Sequence, residues 1–298
     1  MRSLSIIGCG KVGKTLGYLW QNAQSLNVES VVNRNIESGE AAVKFIGHGK
    51  AVSSYSQLSP SNLIMISSSD SAIPLCAEAL LSSNILAPNS IVFHCSGALS
   101  SDLLFKLESD GIQIASLHPV KSFTDLQLAV DTFSGTFCAL EGDPCAVEIL
   151  SDLVEQIGGQ PFVINSKSKG LYHGGNVIVC NYLSALMEFG LRAYESSGVS
   201  RTLATDIIKP LVRETIENIF NLGPAKALTG PIARGDAKVV EDQISKFREQ
   251  SVRDGALYQL LGTVALELVK ERAELGDNQI LELEKLLING SETKAKVG

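Results

Sequence analysis

The sequence predicts an α/β domain with a mostly parallel sheet, followed by an all-helical domain, and three observations support this fold class. In the first half of the chain, short apolar runs alternate with amphipathic stretches. A glycine-rich turn comes directly after the first apolar run. After residue 165 the strand-like runs stop and long helical patterns follow. We therefore expect one domain over residues 1–165 and another over residues 166–298.

Six short apolar runs are the candidate strands of the first domain. They lie at 4–7, 28–33, 62–67, 90–95, 112–117 and 135–140. Amphipathic segments at 12–24, 71–83 and 143–158 predict helices between them. Strands that alternate with helices form a parallel sheet that is covered on both faces.

The second half of the chain carries helical patterns almost throughout. The predicted helices lie at 168–197, 201–221, 236–249, 251–273 and 277–289. Several of them are amphipathic, and the sequence offers no obvious cover for all their apolar faces. We therefore expect a two-fold homodimer that forms through the helical domain.

The composition limits the classes of partner. The 298 residues include 25 basic and 32 acidic side chains, a net charge of -7, without a long basic run, so neither nucleic acid nor a membrane surface is expected as a partner. No segment approaches the roughly 20 apolar residues that cross a bilayer. The six cysteines stand singly and form no C-x-x-C pair, which predicts reduced thiols, no metal site and a cytoplasmic location.

The turn after the first run, "IIGCGKVG", has the pattern of a dinucleotide-binding site. Gly8 permits a tight turn, Gly10 lets the backbone approach a pyrophosphate, and Gly13 lets the following helix pack close to the sheet. The pattern alone is weak, but here a predicted strand precedes it and a helix follows, as in a Rossmann-type fold. The intervening residues expected at the cofactor are Cys9, Lys11 and Val12.

The end of the second strand indicates which cofactor binds. A site for NAD usually has a carboxylate there, about 20 residues after the glycines, to bind the ribose hydroxyls. This chain has Asn33 and Arg34 instead, and no carboxylate before Glu37. Because a guanidinium pairs well with a phosphate, the sequence favours NADP over NAD. The alternative is a solvated arginine in a loop.

Polar residues at two further strand ends are expected to contact the cofactor. Ligands of open α/β sheets bind outside the carboxyl ends of the strands. The residues concerned are Ser67, Ser68 and Ser69 after one strand, and Ser96 and Gly97 after the next. His118 ends the following strand, where a substrate would meet the nicotinamide, and is either catalytic or structural.

The stretch "SKSKGLYHGGNVIVCNYLSAL" combines titratable groups with glycines at a helix start. At about 100° per residue, Lys169, His173 and Asn176 fall within about 60° of one another and form a polar stripe. The glycines beside this stripe are Gly170, Gly174 and Gly175. They leave room for a flat ligand, so the stripe predicts a proton donor in a reaction chamber. The alternative is a cluster of charges that caps and solvates a domain junction.

A third constellation lies in the turn-rich segment "LGPAKALTGPIARGD" at 222–236. Thr229 and Arg234 are candidate substrate contacts, because a guanidinium can bind a carboxylate or phosphate with two hydrogen bonds. Arg234 could equally bond a carbonyl or lie at a subunit contact. Asp236 is a candidate N-cap of the next helix.

Three motifs, "SLHPVKSF", "KGLYHGGNVIVCNYLSAL" and "ALTGPIARGD", resemble a known family. Its members join a Rossmann-like domain to a carboxyl-terminal domain of unknown function, number 2520. The family is similar to the superfamily of 6-phosphogluconate and 3-hydroxyisobutyrate dehydrogenases. The resemblance covers nearly the whole chain and implies a nicotinamide-dependent oxidoreductase. It also implies a helical domain like the carboxyl-terminal domain of 6-phosphogluconate dehydrogenase, and a dimer made through that domain.

The resemblance also bears on the polar stripe. The hydroxyacid dehydrogenases of the superfamily use a lysine followed four residues later by an asparagine. This chain has Lys169, but His173 stands at the later position and Asn176 a turn onward. The resemblance therefore leaves either Lys169 or His173 as the proton donor. Tyr172 is expected to lie on another face of the helix and to serve packing.

Together these observations predict an NADP-dependent oxidoreductase. Its expected reaction is hydride transfer between the nicotinamide and a small, anionic substrate, either carbonyl and hydroxy or imine and amine. Two alternatives stay open. One is a deazaflavin–NADP oxidoreductase, which a broad pocket without an anion contact would favour. The other is a non-catalytic protein that binds NADP and reports the redox state.

Overall fold

A computed structural model describes residues 1–107 and 111–288 of the chain. The chain forms two compact units, Met1–Ala185 and a second unit that begins at Leu186. Residue 289, the predicted end of the last helix, lies outside the described residues.

A mostly parallel sheet forms the centre of the first unit, which confirms the predicted fold class. Its strands are β1 (Arg2–Ile7), β2 (Leu26–Val32), β3 (Lys50–Val52), β4 (Leu63–Ile66), β5 (Ile91–His94), β6 (Gln113–Pro119), β7 (Phe137–Gly142) and β8 (Gln160–Val163). They lie in the order β3-β2-β1-β4-β5-β6-β7-β8, and only β6 and β7 pair in antiparallel fashion. Each of the six predicted runs lies on a strand. The prediction missed the two edge strands, because β3 and β8 are mostly not fully buried and do not read as continuous apolar runs.

Each face of the sheet has its own apolar core. Ile6 and Met65 belong to one core, whereas the alternating residues Ile7 and Ile66 belong to the other. The helices of this region are α1 (Lys11–Asn22), α2 (Ile36–Ile46), α3 (Ile73–Ser82), α4 (Leu126–Asp131) and α5 (Pro144–Glu155). Burial of both faces explains why the strands read as nearly continuous apolar runs. Because β1, β4, β5 and β6 run parallel, their carboxyl ends lie at one edge of the sheet.

A long helix follows the sheet in three consecutive segments. They are α6 (Lys169–Asn176), a π-helical segment (Val177–Tyr182) and α7 (Leu183–Ser196). The compact units divide inside this helix, after Ala185. The domain boundary at residue 165, set by the change from strands to helices, stays a prediction. The first turns belong to the first unit because α6 is anchored to the sheet.

The anchor is a buried ion pair between Lys169 of α6 and Glu141 of β7. Both side chains are about fully buried, at 1% and 2% exposure, and Nζ lies 2.9 Å from Oε1. Lys169 Nζ also donates a hydrogen bond to the Ser116 hydroxyl of β6. The backbone N–H and the hydroxyl of Ser101 donate to the two Glu141 oxygens at 2.9 and 2.7 Å. These bonds compensate the desolvation of both charges and tie α6, β6 and β7 together.

The second unit consists of helices packed around a small core. The helices that follow α7 are α8 (Arg201–Leu222), α9 (Pro224–Ala227), α10 (Pro231–Arg234), α11 (Ala237–Gln250), α12 (Val252–Arg272) and α13 (Asp277–Leu287). Val240, Ile244, Leu266, Leu283 and Leu287 form the core between α11, α12 and α13. The predicted helices of this half are therefore present. No helix among residues 1–107 and 111–288 is long and apolar enough to span a membrane.

Several helices of the second unit expose large apolar side chains. Phe220 of α8 is 83% exposed and Leu260 of α12 is 63% exposed. Further exposed apolar residues on α7, α8 and α12 are Leu186, Leu203, Ile207, Leu211, Leu261 and Val264. Surfaces of this kind are typical of protein contacts.

We predict that removing one partner of the buried ion pair strongly lowers the stability of the protein. Lys169→Met leaves the Glu141 carboxylate buried without its counter-charge, so we expect the free energy of unfolding to fall by about 3–5 kcal/mol. Adding Glu141→Leu to this variant removes the unpaired charge and should restore part of the loss. Denaturant unfolding of both variants measures these changes.

The exposed pair of Lys106 and Glu78 provides the control, because these side chains are 59% and 61% exposed. Lys106→Met should change the free energy of unfolding by less than about 1 kcal/mol. A Lys169→Met variant that is as stable as Lys106→Met would contradict the anchoring role.

Candidate active site

The turn between β1 and α1 has the backbone geometry that a dinucleotide site requires. Gly8 has a φ of +71°, and a Cβ on it would lie 2.6 Å from the Ser68 Cβ. A Cβ on Gly13 would overlap the Ser67 hydroxyl. A Cβ on Gly10 would meet no described atom closer than 4.0 Å. Gly8 and Gly13 are therefore required by the fold, whereas the space beside Gly10 is open.

The start of α1 has the features of an anion-binding site. Gly10 occupies the N-cap position, and no side chain of the described residues caps the helix. The first N–H groups of a helix have no intrahelical acceptor and carry a partial positive charge. The residues fit a pyrophosphate at this point, as the glycine pattern predicts.

A cavity of about 750 Å³ extends from this turn along the ends of β1 and β2. The predicted cofactor residues among its lining are Gly8, Cys9, Gly10, Asn33, Arg34, Ser68 and Ser69. Asn33 Oδ1 accepts a hydrogen bond from Cys9 N at 2.6 Å, which connects the second strand end to the glycine turn. Arg34 is exposed at the cavity. No carboxylate is among the described residues that line it.

Two of the predicted turn residues have other contacts. Lys11 Nζ donates to the Thr124 carbonyl at 2.6 Å, which ties the glycine turn to the loop after β6. Burial raises the pKa of the Cys9 thiol to about 12, although Lys14 opposes this. The thiol is therefore protonated at neutral pH and contributes no charge to the site.

A second cavity, of about 220 Å³, lies beside the ends of β4, β5 and β6. Its lining includes the predicted residues Val12, Ser67, Ser68, Ser96, Gly97, His118 and His173. Ser68 lines both cavities. The charged side chains among this lining are Asp70 and Lys121. Together the cavities extend from the glycine turn to the two histidines.

The loop after β5 is held in shape by His94 and Ser96. His94 is fully buried, and its Nδ1 accepts from Ser96 N at 3.2 Å while Nε2 donates to the Ser100 carbonyl at 3.3 Å. Burial lowers the pKa of His94 to about 3, so the ring is neutral. The Ser96 hydroxyl accepts from Ala98 N and Leu99 N. The loop thereby presents Gly97 to the second cavity.

Gly97 lies under the two histidine rings that line this cavity. A Cβ on Gly97 would lie 2.6 Å from His173 Cδ2 and 2.7 Å from His118 Nε2. The two rings meet edge to face with their centres 6.0 Å apart. Only glycine therefore allows both rings to cover this loop. His118 and His173 thus line the same cavity.

His118 is bonded to Tyr172, whose role the sequence did not predict. His118 Nδ1 and the Tyr172 hydroxyl are 3.0 Å apart. Tyr172 also packs edge to face on Phe162 of β8. The expectation that Tyr172 serves only packing is thus wrong, because α6 turns this side chain towards β6. Burial is the main cause that lowers the pKa of His118 to about 4; His173 and Lys169 lower it further, and Asp70 opposes them.

The polar stripe of α6 does not act as one surface. Lys169 is buried in the ion pair with Glu141, whereas His173 lines the second cavity. Burial lowers the pKa of the Lys169 ammonium, and Glu141 opposes the shift. The prediction treated Lys169 and His173 as neighbours in the chamber; in the structure the Lys169 ammonium is instead held by Glu141 and Ser116. A lone acid in the apolar run "TFCALEG" was the only sequence signal for this partner.

α6 also carries Asn176 and three glycines. Asn176 Nδ2 is buried and makes no hydrogen bond of normal geometry within the described residues. Burial raises the pKa of the nearby Tyr172 phenol, and the Asn176 amide opposes this shift. A Cβ on Gly170, Gly174 or Gly175 would meet no described atom within 4 Å. The fold itself therefore does not require these glycines.

The second unit holds the remaining predicted residues. Thr229 is exposed, and Arg234 Nε donates to Asp236 Oδ2 at 2.9 Å. Asp236 stands at the N-cap position of α11, but its side chain makes no capping bond because it pairs with Arg234. No group of three or more metal-ligating side chains occurs in the part of the chain that the structure describes.

Comparisons with known proteins agree with this architecture. The chain has a TM-score of 0.72 and 27% identity with protein TM1727 from Thermotoga maritima, over 90% of this chain and 99% of that one. A candidate NADP oxidoreductase from Bacteroides fragilis, BF3122, follows with a TM-score of 0.68 and 17% identity over 90% and 98%. The pyrroline carboxylate reductase of Plasmodium falciparum, solved with NADP bound, has a TM-score of 0.53 and 12% identity over 95% and 96%. No functionally curated protein matches the sequence.

Two family models match the chain in succession. The model of a Rossmann-like domain matches residues 1–119, and that of the domain of unknown function DUF2520 matches residues 136–264. The chain therefore belongs to the family that joins a Rossmann-like domain to DUF2520.

Proposed function

We propose that the protein is an NADP-dependent oxidoreductase that transfers a hydride between the nicotinamide and a small, anionic substrate, either carbonyl and hydroxy or imine and amine. One observation carries this proposal: the two cavities share Ser68 and lead from the open glycine turn to His118 and His173. A nicotinamide dinucleotide has its phosphates in the middle and its reactive ring at one end, which suits such an arrangement. The similar fold of the NADP-bound reductase from Plasmodium falciparum supports the proposal.

The chain offers a contact for each polar part of the cofactor. The N–H groups at the start of α1 would bind the pyrophosphate, and Arg34 would pair with a 2′-phosphate. Ser96 and Gly97 would border the nicotinamide. When bound, the cofactor supplies or accepts a hydride.

The second cavity limits the substrate. Its volume of about 220 Å³ favours a small molecule and not a deazaflavin. Lys121 is a proposed contact for an anionic group of the substrate, since it lines this cavity and its ammonium donates, within the described residues, to the Thr132 carbonyl alone. Thr229 and Arg234 stay proposals as substrate contacts, and the pairing of Arg234 with Asp236 reduces its availability.

We propose that His118, and not Lys169, exchanges the proton that accompanies hydride transfer. His118 lines the cavity, whereas the Lys169 ammonium is held by Glu141 and Ser116. Lys169 then acts as a positioning residue, because it fixes α6 and with it His173. General acid catalysis of this kind contributes about 10²–10⁴ in rate.

The test of the proposal is cofactor binding, followed by a panel of small oxoacids and cyclic imines with NADPH. Gly10→Ala should weaken NADPH binding at least about tenfold, because a Cβ would keep the pyrophosphate from the backbone. Its melting temperature should fall by no more than about 4 °C, because the Cβ meets no close atom. Absence of NADPH and NADH binding to the unmodified protein would refute the function.

We predict that the protein binds NADPH more tightly than NADH. Arg34→Ala should lower the affinity for NADPH about tenfold or more, because a charge-assisted bond to the 2′-phosphate is lost, and should leave NADH unaffected. Arg2→Ala, which removes another exposed arginine, is the matched control. Equal affinities of the unmodified protein for the two cofactors, by calorimetric titration, would contradict this prediction.

We also propose that the protein is a homodimer through its helical unit. The exposed apolar side chains of α7, α8 and α12 support this. Light scattering at micromolar concentration should then give twice the chain mass of 31.8 kDa. Leu211→Glu should weaken the dimer, whereas Leu75→Glu on α3 should not. A mass of one chain for the unmodified protein would contradict the proposal.

A further inference from the structure

Tyr172 stands between His118 and Asn176. Its hydroxyl is 3.0 Å from His118 Nδ1, and Asn176 lies one helical turn onward. Burial raises the pKa of the Tyr172 phenol, and the neighbouring Asn176 amide opposes this shift, as an N–H donor near the phenolic oxygen would. Asn176 Nδ2 can only donate and has no hydrogen-bond partner of regular geometry within the described residues. A bond from it to the Tyr172 oxygen would leave the Tyr172 proton free for His118.

This arrangement determines the tautomer of His118. If Nδ1 accepts the Tyr172 proton, the ring carries its single proton on Nε2. The Nε2 edge lies over Gly97 at the second cavity, and Nε2 makes no hydrogen bond within the described residues. The ring therefore presents an N–H donor to the place where a substrate would lie.

A neutral imidazole is a poor acid on its own, because loss of its only proton would leave an imidazolate. The groups that face His118 do not favour a second proton. His173 and Lys169 repel it, burial disfavours it, and Asp70 opposes these effects only in part. A proton donor at the other ring nitrogen removes this difficulty, and Tyr172 occupies that position.

We propose that Asn176, Tyr172 and His118 form a proton relay that ends at the second cavity. The proposal rests on the proposed oxidoreductase function and names the groups that supply its proton. In the direction of reduction, the bond between His118 Nε2 and its proton breaks as that proton moves to the substrate oxygen or nitrogen. His118 Nδ1 takes the Tyr172 proton at the same time, so the ring stays neutral.

The remaining charge is placed on the Tyr172 oxygen. Burial raises the pKa of this phenol, so the phenolate depends on a hydrogen bond from Asn176 Nδ2, the buried donor without a regular partner in the described chain. Water later returns a proton to Tyr172, and His118 returns to the starting tautomer when its Nδ1 proton is exchanged. The substrate gains one hydride at carbon and one proton at oxygen or nitrogen, so the reduction balances. His118 is the catalytic residue, and Tyr172 and Asn176 act through it.

Nitrogen-15 NMR of the histidine rings in the full chain at neutral pH tests the relay without any substrate. The chain has only four histidines, so the His118 signals can be assigned with a His118→Asn variant. In the unmodified protein we expect a neutral His118 ring with its proton on Nε2. A predominant Nδ1–H tautomer or a charged ring would overturn the proposal.

Two variants extend the test to the partners of His118. Tyr172→Phe removes the proton donor and should give a mixture of both tautomers. Asn176→Leu frees the Tyr172 oxygen to accept from Nδ1, and should therefore raise the Nδ1–H population without touching His118. Tyr182→Phe and Asn181→Leu remove the same groups from exposed positions of the π-helical segment and should leave the His118 signals unchanged.

Binding of NADP⁺ separates this inference from the function on which it rests. Neither Tyr172 nor Asn176 lines the described part of either cavity, so both variants should keep the NADP⁺ affinity of the unmodified protein within about twofold. Loss of NADP⁺ binding in every protein, with the expected tautomers, would refute the function alone. His118 signals that do not respond to Tyr172→Phe or Asn176→Leu would refute the relay alone.

Discussion

The buried ion pair of Lys169 and Glu141 is the interaction on which the candidate site depends. Glu141 Oε1 accepts from the ammonium at 2.9 Å, and the Ser116 hydroxyl binds the same ammonium. Ser116 and His118 lie on the same face of β6. The ion pair and its bond to Ser116 therefore fix where α6 meets the strand near His118. Tyr172 then reaches His118 one turn later along the helix. A shift of α6 would separate Tyr172 and His173 from His118 before it changed the glycine turn after β1.

The same burial that requires an ion pair keeps His94 and His118 neutral. Desolvation disfavours a charged ring, and the buried ammonium adds repulsion. His94 and His118 have depressed pKa values of about 3 and 4, so they act as paired donors and acceptors and not as cations. His94 uses both ring nitrogens to hold the loop under the cavity. His118 uses one nitrogen for Tyr172 and leaves the other at the cavity. His94 thus has a structural role, whereas His118 has a position suited to chemistry.

Local backbone requirements made the glycine turn predictable from the sequence, whereas the surroundings of His118 depended on long-range contacts. Gly8 and Gly13 are defined by a tight turn and a close approach within one strand–helix unit, so their spacing is a local signal. Lys169 and Glu141 are 28 positions apart, and His118 and Tyr172 are 54 apart. Helical periodicity placed Lys169 beside His173 but could not show that a carboxylate on β7 would draw the lysine away. Helical periodicity also assigned Tyr172 to the wrong face of α6, because contacts with the sheet decide which face of this helix is buried.

The central claim is that one continuous site leads from the glycine turn to His118. A crystal structure of the full chain with NADP⁺ tests it most directly. The account predicts the pyrophosphate at the N–H groups that follow Gly10, and the nicotinamide ring between Gly97, His118 and His173. A nucleotide whose nicotinamide lies away from His118, or whose phosphates do not contact the start of α1, would contradict it.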